Sequence, residues 1–335
     1  MHGVLYCGRS YGIGRYQRGT ITILPGETEP LIAVLGPTAS GKSALALDVA
    51  ERLGGEIVGC DSLQLYRYFN IGTAKTPPAQ RRSIPHHLID VLDPGQTFTA
   101  GDYARAAREV LTAIGLRHRT PVIAGGTGFY LRALLEGLFP GPVRDAELRQ
   151  MLEERENRRK GVLHRWLRRV DAASAARVHP NDVQKLIRAI EVCVAGRQPM
   201  TEQFAQGRTA LPGYRVLKIV LDPPRSELRA RIDRRVVEMF EAGLIDEVRA
   251  ILAAGWPRSA KPFESLGYKE ALAVVEGRMT LEQAIAATQV ETRQYAKRQA
   301  TWFRRERGAE WFRGFGDDPA VRKAVFAWIS GHNVR

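Results

Sequence analysis

The chain has 335 residues, 44% of them hydrophobic and 26% charged, enough for one α/β domain plus an insertion or a second domain. No apolar run approaches the roughly 20 residues that cross a bilayer, and Cys7, Cys60 and Cys193 are scattered without metal-ligand spacing, so a membrane span and a zinc finger are excluded and a cytoplasmic setting is expected. The formal net charge of +14 exceeds what an enzyme of small metabolites needs and points to RNA or DNA as partner, the alternative being a generally Arg-rich proteome.

Residues 1–30 are rich in Gly, Arg and Tyr and lack the apolar core of a secretion signal; they read as a disordered or misassigned leader. Leu31–Leu35 is an apolar run of strand length. It is followed by Gly36, Pro37, Thr38, Ala39, Ser40, Gly41, Lys42 and Ser43, which fit the P-loop pattern of Gly, four residues, then Gly-Lys-Ser. The glycines let backbone N–H groups line an anion site. Lys42 adds a point charge, and Ser43 offers a hydroxyl to Mg²⁺. Ala44–Leu53 reads as a helix whose N-terminus faces the same anion. A glycine turn that binds nothing does not explain Lys42 and Ser43 together.

Glu56–Asp61 reads as a second strand. Asp61 at its carboxyl end either faces the P-loop site, where ligands of parallel sheets collect, or caps a turn. Ile71–Thr76 is a polar loop carrying Lys75. Ile84–Asp90 reads as a short strand whose adjacent His86 and His87 point to opposite faces and make a poor metal pair. A helix is predicted over Asp102–Leu116 and a buried strand over Thr120–Ala124. Gly125, Gly126, Thr127 and Gly128 then form a second glycine turn at the sheet edge, before a helix over Phe129–Leu138. Beside the P-loop, this turn and its exposed Thr127 suggest a shared rim.

Pro140-Gly141-Pro142 breaks the pattern, and residues 143–212 hold no convincing strand. They read as a helical insertion: a charged helical run over Arg144–Arg169, then a helix through Ala195. Asn181 is its expected N-cap, with Gln184 three residues on, and Lys185 and Arg188 project from its first turns. Tyr214–Leu221 returns to the sheet. Ser226–Ala253 reads as one long helix, whose Arg231 and Arg235 either reach over the P-loop to clamp a diphosphate or are surface arginines. Phe263–Lys269 leads into a short helix. Thr280 to Gln283 is a capping box opening a helix to about Arg307. From 292 to 307 that helix carries six Lys/Arg against one Glu, a nucleic-acid footprint where it meets Tyr295, Trp302 and Phe303. Arg293, Lys297, Thr301 and Arg304 share one face, and Tyr295, Gln299 and Trp302 share another, expected in the core. Residues 316–335 read as a tail. The fold class is α/β: a P-loop NTPase-like parallel-sheet core over 31–142, the helical insertion over 143–212, and a return to the core with basic helices over 213–315.

In order, Gly-Pro-Thr-Ala-Ser-Gly-Lys-Ser at 36, Asp-Ser-Leu-Gln-Leu-Tyr at 61, Ile-Gly-Thr-Ala-Lys at 71, Ile-Pro-His-His-Leu-Ile-Asp at 84, Ala-Gly-Gly-Thr-Gly-Phe-Tyr at 124, His-Pro-Asn-Asp at 179, Leu-Gly-Tyr-Lys-Glu at 266 and Thr-Arg-Gln-Tyr-Ala-Lys-Arg-Gln-Ala-Thr-Trp-Phe-Arg at 292 resemble the tRNA dimethylallyltransferases, also called tRNA isopentenyltransferases. The match runs over about residues 31–305, and without the C-terminal zinc finger of eukaryotic relatives the sequence resembles the bacterial type. The resemblance implies transfer of a dimethylallyl group from dimethylallyl diphosphate to the exocyclic N6 amine of adenosine 37, beside the tRNA anticodon. It implies that the P-loop and Mg²⁺ hold the diphosphate without ATP hydrolysis. Asp61 is then the general base, with Thr38, Lys42 and Thr127 beside it. Family tRNA contacts fall on Asp61, Ser62, Leu63 and Gln64, on Thr127 and Arg149, and on Gln184, Lys185, Leu186, Ile187 and Arg188. They fall further on Glu264, Ser265, Leu266, Gly267, Tyr268 and Lys269, and on Lys297, Arg298, Gln299, Ala300, Thr301, Trp302, Phe303 and Arg304. The expected partner is the anticodon stem–loop, whose bases are cheap to splay out, and the expected state is a monomer. A nucleotide kinase would instead use Asp90 for its metal, and the basic helix argues against it. A GTP switch would need an Asn/Thr-Lys-x-Asp segment, which the sequence lacks.

Overall fold

A computed structural model describes residues 28–139, 141–142, 144–204 and 207–334. The leader expected over residues 1–30 lies outside the described residues except for its last three, of which Glu29 and Pro30 already belong to the first strand. Residues Leu135–Leu211 form one compact unit, and the described residues before and after them form the other.

Five consecutive buried residues, Leu31–Leu35, make up most of β1 (Glu29–Leu35), as a strand covered on both faces requires. The P-loop leads into α1 (Lys42–Arg52) and β2 (Glu56–Gly59). A long loop and the two-residue β3 (His86–His87) follow, then α2 (Ala100–Leu116), opened by a capping box between Thr99 and Asp102. β4 (Pro121–Gly125) and α3 (Gly128–Leu135) complete this half. The other unit contributes α4 (Ala146–Arg158), α5 (Val162–Val170), α6 (Ala172–Arg177), α7 (Val183–Gly196) and α8 (Met200–Phe204). The chain returns through β5 (Tyr214–Leu221), α9 (Arg225–Glu241), α10 (Leu244–Ala253), α11 (Tyr268–Val275) and α12 (Leu281–Phe303). It ends with β6 (Ala309–Phe312) and α13 (Pro319–Ser330).

The six strands form one sheet in the order β3-β2-β4-β1-β5-β6, every pair parallel. β4 lies between β1 and β2, with Leu35 opposite Gly125 and Gly59 opposite Ala124. The loops leaving these three strands therefore meet at one end of the sheet, the end where such folds bind ligands.

Several elements differ from the sequence expectation. β2 stops at Gly59, so Asp61 sits two residues beyond it. The strand expected over 84–90 shrinks to two residues because Leu88 and Asp90 adopt left-handed conformations, φ 58° and 57°. The charged run at 144–169 breaks at Gly161 and the helix at 226–253 breaks at Gly243, both left-handed. α7 is capped by Asp182, whose side chain accepts from Lys185 N, and not by Asn181. The basic helix ends at Phe303, short of Arg307, and a turn over 304–308 leads into the edge strand β6.

Residues 316–335 are more than a tail. Asp318 caps α13, Pro319 occupies its first turn, and Val321, Val325 and Ile329 join Val34, Leu45, Ile219 and Leu221 in the core. The helical unit has its own core, in which Leu152, Leu163, Leu167, Leu186, Ile187 and Ile190 are fully buried. Within it the buried Glu191 carboxylate accepts from Asp145 N at 2.8 Å and Arg188 Nη1 at 2.6 Å, and lies 3.4 Å from Arg149 Nε. Leu211 N donates to Leu135 O at 2.9 Å, so the unit's entry and exit run side by side. If α13 is core, Val325→Ala should lower unfolding free energy by about 2 kcal/mol, as a cavity-forming truncation does. Urea denaturation measures this; a peripheral tail would lose nothing.

Candidate active site

The P-loop backbone forms a concave turn. Gly36, Ala39 and Gly41 all have positive φ, 150°, 62° and 81°. Gly41 must be glycine on a second ground: a Cβ there would lie 2.6 Å from Asp317 Oδ1 and 2.8 Å from Gly316 N. Gly41 is also the N-cap of α1, which places the helix's positive end at the loop. The Lys42 ammonium donates to Pro37 O at 3.0 Å. Burial lowers its pKa to about 8, with the Asp61 carboxylate pulling upward and the Arg235 guanidinium pushing further down. A cation held this reluctantly, in a loop lined with N–H groups, is poised for an anion.

Asp61 serves as a turn cap and also faces the site. Its Oδ1 accepts from Leu63 N at 2.9 Å and Gln64 N at 3.4 Å, which fixes the carboxylate plane. Oδ2 has no hydrogen-bond partner among the described residues. Thr127 Oγ1 accepts from Ser62 N at 3.2 Å, joining the glycine turn after β4 to the segment after β2. Burial first, and the nearby Asp61 second, push the Tyr295 phenol pKa up. Burial raises the Cys60 thiol to about 12, which leaves it inert as a nucleophile.

Gln299 was expected both in the core and among the tRNA contacts. The structure buries it and adds a bridging role. It is 5% exposed; its Oε1 accepts from Thr38 N at 2.8 Å and its Nε2 donates to Gly126 O at 2.9 Å. A side chain at Gly126 would collide with that amide, so the glycine is needed for close approach. Trp302 lies against Gly128 in the same way and carries Arg132 over its ring at 4.5 Å.

A cleft of about 650 Å³ opens beside the loop, lined by Gly41, Lys42 and Ser43, by Arg231, Arg234 and Arg235 of α9, and by Asp317. Of the two readings of Arg231, the structure favours the one that brings it to the cleft, where Asp317 holds it. Arg235 is half-buried with no ion pair among the described residues, and burial and Arg231 lower its pKa. A divalent metal finds the exposed Ser43 hydroxyl at the start of α1, and no group of three or more His, Cys, Asp or Glu among the described residues. That donor set fits an ion that keeps its waters and takes phosphate oxygens from a bound substrate. Asp90, the carboxylate a kinase would use, is 2.6 Å from the buried Lys75 ammonium and holds the 71–76 loop instead.

The expected tRNA-contact residues divide by exposure. Lys297, Arg298 and Thr301 are exposed on α12, Arg304 at its C-cap, and Gln184 and Lys185 on α7. Arg293 leaves the basic face because it pairs with Asp233. Leu186, Ile187, Tyr268 and Phe303 are buried core residues, Gly267 is also buried, and Ala300 is half-buried. Arg149 and Arg188 are held by Glu191. Glu264 is exposed and pairs with Lys261, Ser265 and Leu266 are half-buried, and Lys269 pairs with Glu291. Sequence reasoning missed Asp317, Arg234 and the amide bridge of Gln299.

A parallel sheet whose first strand feeds an anion loop, with an oriented carboxylate on the adjoining turn, places the molecule among the P-loop phosphate-binding enzymes. Residues 64–306 match the family model described as IPP transferase. The chain is 58% identical over 296 residues to a tRNA dimethylallyltransferase of Solibacter usitatus, covering 88% of this chain and 96% of that one. It is 55% identical to the corresponding protein of Koribacter versatilis over the same shares. The full-length tRNA isopentenylpyrophosphate transferase of Bacillus halodurans superposes with a TM-score of 0.67 at 36% identity, covering 90% of this chain and 96% of that one. A eukaryotic dimethylallyltransferase solved acting on tRNA gives 0.75 at 26% identity, covering 91% and 80%. The chain belongs to the tRNA dimethylallyltransferase family.

An anion beside Lys42 should restore its proton. Pyrophosphate binding should therefore take up protons above pH 8, and affinity should fall as pH rises through that value. Titration calorimetry in buffers of different ionisation enthalpy reads the uptake. Lys42→Arg, charged at every working pH, should abolish this part of the pH dependence.

Proposed function

We propose that this chain transfers a dimethylallyl group from dimethylallyl diphosphate to N6 of adenosine 37 in tRNA. The observation that carries the reading is that Asp61, with one oxygen tied down and one free, sits close enough to Lys42, at the head of an anion loop, for its charge to act on that ammonium. One group suits the leaving diphosphate and the other suits an amine losing its proton.

The P-loop N–H groups, Lys42, Arg231 and Arg235 bind the diphosphate and stabilise the charge it gathers as the bond from its oxygen to the prenyl carbon breaks. Mg²⁺ at Ser43 would neutralise part of that same charge. The exocyclic amine is a poor nucleophile because its lone pair is delocalised into the ring. As nitrogen bonds to carbon its proton becomes acidic, and Asp61 Oδ2 accepts it. The Asx-type hold on Oδ1 aims the carboxylate beforehand. Thr38 and Thr127, at the turns on either side, complete the rim. The base must be splayed out of the anticodon loop to reach this rim. The exposed Lys297, Arg298 and Arg304 of α12 meet tRNA phosphates, as does Lys185 on α7.

Two measurements test this reading. Asp61→Asn keeps the shape but cannot take the proton, so single-turnover transfer should fall about 10²- to 10⁴-fold with tRNA and donor still bound; unchanged chemistry would leave Asp61 a turn cap only. Replacing Lys297, Arg298 and Arg304 together by Ala should weaken tRNA binding and flatten its log–log salt dependence by about 0.7 to 0.9 per lost contact. Pyrophosphate affinity should not change.

A further inference from the structure

The family model ends at residue 306, yet the segment after β6 is built into the anion loop. Gly316 N donates to Ser40 O at 2.8 Å. A Cβ on Gly316 would lie 2.5 Å from Gly41 O, and one on Gly41 would lie 2.6 Å from Asp317 Oδ1. Two glycines face each other so that backbone can meet backbone. From this clasp Asp317 reaches α9: Arg231 Nη1 donates to Oδ1 at 2.8 Å and Nη2 to Oδ2 at 2.6 Å. Phe315 supports the same guanidinium from a ring 4.8 Å away. The Arg231 guanidinium beside it holds the Asp317 carboxyl below the usual carboxylate range, so the pair stays ionised at neutral pH.

We propose that Asp317 is a positioning residue for the diphosphate, acting through Arg231. An arginine on a helix surface samples many rotamers, and fixing it on arrival of the ligand costs entropy. The two-point pair with Asp317 and the face of Phe315 fix it beforehand. Of the five N–H donors of a guanidinium, the pair with Asp317 uses two. The remaining three stay available to a phosphate oxygen in the cleft that Lys42 and Ser43 share. The clasp at Gly316 ties this presentation to the loop itself, so the arginine and the loop hold a constant spacing. The inference rests on the reading of this cleft as the diphosphate site.

The test uses the full chain, inorganic pyrophosphate and a double-mutant cycle. Asp317→Asn keeps the shape and removes the charge-assisted pair; it should weaken pyrophosphate binding roughly tenfold or more. The KM for the prenyl donor should rise and kcat should fall with it, since the arginine that Asp317 positions also stabilises the charge gathering on the leaving diphosphate. In an Arg231→Ala background the same Asp317→Asn change should do nothing further. Lys42→Ala, measured alongside, reports on the site itself. If Lys42→Ala weakens pyrophosphate and Asp317→Asn does not, or tightens it, the positioning role is overturned while the diphosphate site stands. If Asp317→Asn acts equally with Arg231 absent, the effect does not run through Arg231 and the proposal fails. If pyrophosphate ignores Lys42→Ala, the diphosphate reading fails and the proposal with it.

Discussion

A single buried amide joins the two turns that make this site. Gln299 has one acceptor and one donor to offer, and it spends them on Thr38 N and Gly126 O. Each of these backbone groups lies in a loop that has left its strand and has no ladder partner. No other side chain of this size offers both functions in one plane. Glutamate would set a charge against the Gly126 carbonyl, and an aliphatic residue would leave both groups unpaired at a cost of about 1–3 kcal/mol each. Because Gln299 lies on α12, the helix that shows Lys297, Arg298 and Arg304 to solvent also sets the spacing between P-loop and rim.

A second set of bonds anchors the loop after β2. The Glu247 carboxylate on α10 accepts from Asn70 N and Ile71 N, and from the Tyr268 hydroxyl at 2.5 Å, while Gly72 N donates to that hydroxyl at 3.1 Å. Lys75 then donates to Tyr66 O, Asn70 Oδ1 and Asp90 Oδ1. Burial keeps the Glu247 pKa above the usual carboxylate range and the Lys75 pKa below the usual ammonium range. The stretch Ile71 to Lys75 is thus a structural support beside Asp61, its polar groups turned inward.

The P-loop, the strand at 214–221 and the capping box at Thr280 were legible because local rules decide them: a fixed glycine spacing, an apolar run, a hydroxyl three residues before its partner. What stayed hidden depends on contacts between distant segments. The helix period puts Gln299 on the core face, but which groups its amide joins shows only once Thr38 and Gly126 are seen beside it. The i, i+4, i+8 spacing of Val321, Val325 and Ile329 after Asp318-Pro319 is a readable helix signal, but its length and the polar residues between made it easy to pass over. Gly161 and Gly243 are ordinary in sequence; that they break helices follows from their left-handed conformation in the fold. Tyr268, Leu186 and Ile187 fall among the expected tRNA contacts and yet are core, because a stretch that resembles a family's contact segment also carries the residues that pack that segment in place.

The side-by-side ends of the helical unit bear on how the chain folds. β1 pairs with β4 and β5, so the middle of the sheet waits for a strand that is synthesised long after the first. Closing a loop of that length costs entropy before any strand contact repays it. The helices of Leu135–Leu211 fold on local contacts, and the bond from Leu211 N to Leu135 O brings their flanks together. Once they form, the effective loop between β4 and β5 shrinks to residues 126–134 and 212–213, most of the former in α3. A formed insertion therefore lowers the loop-closure entropy that its length would otherwise impose on the pairing of β1 with β5.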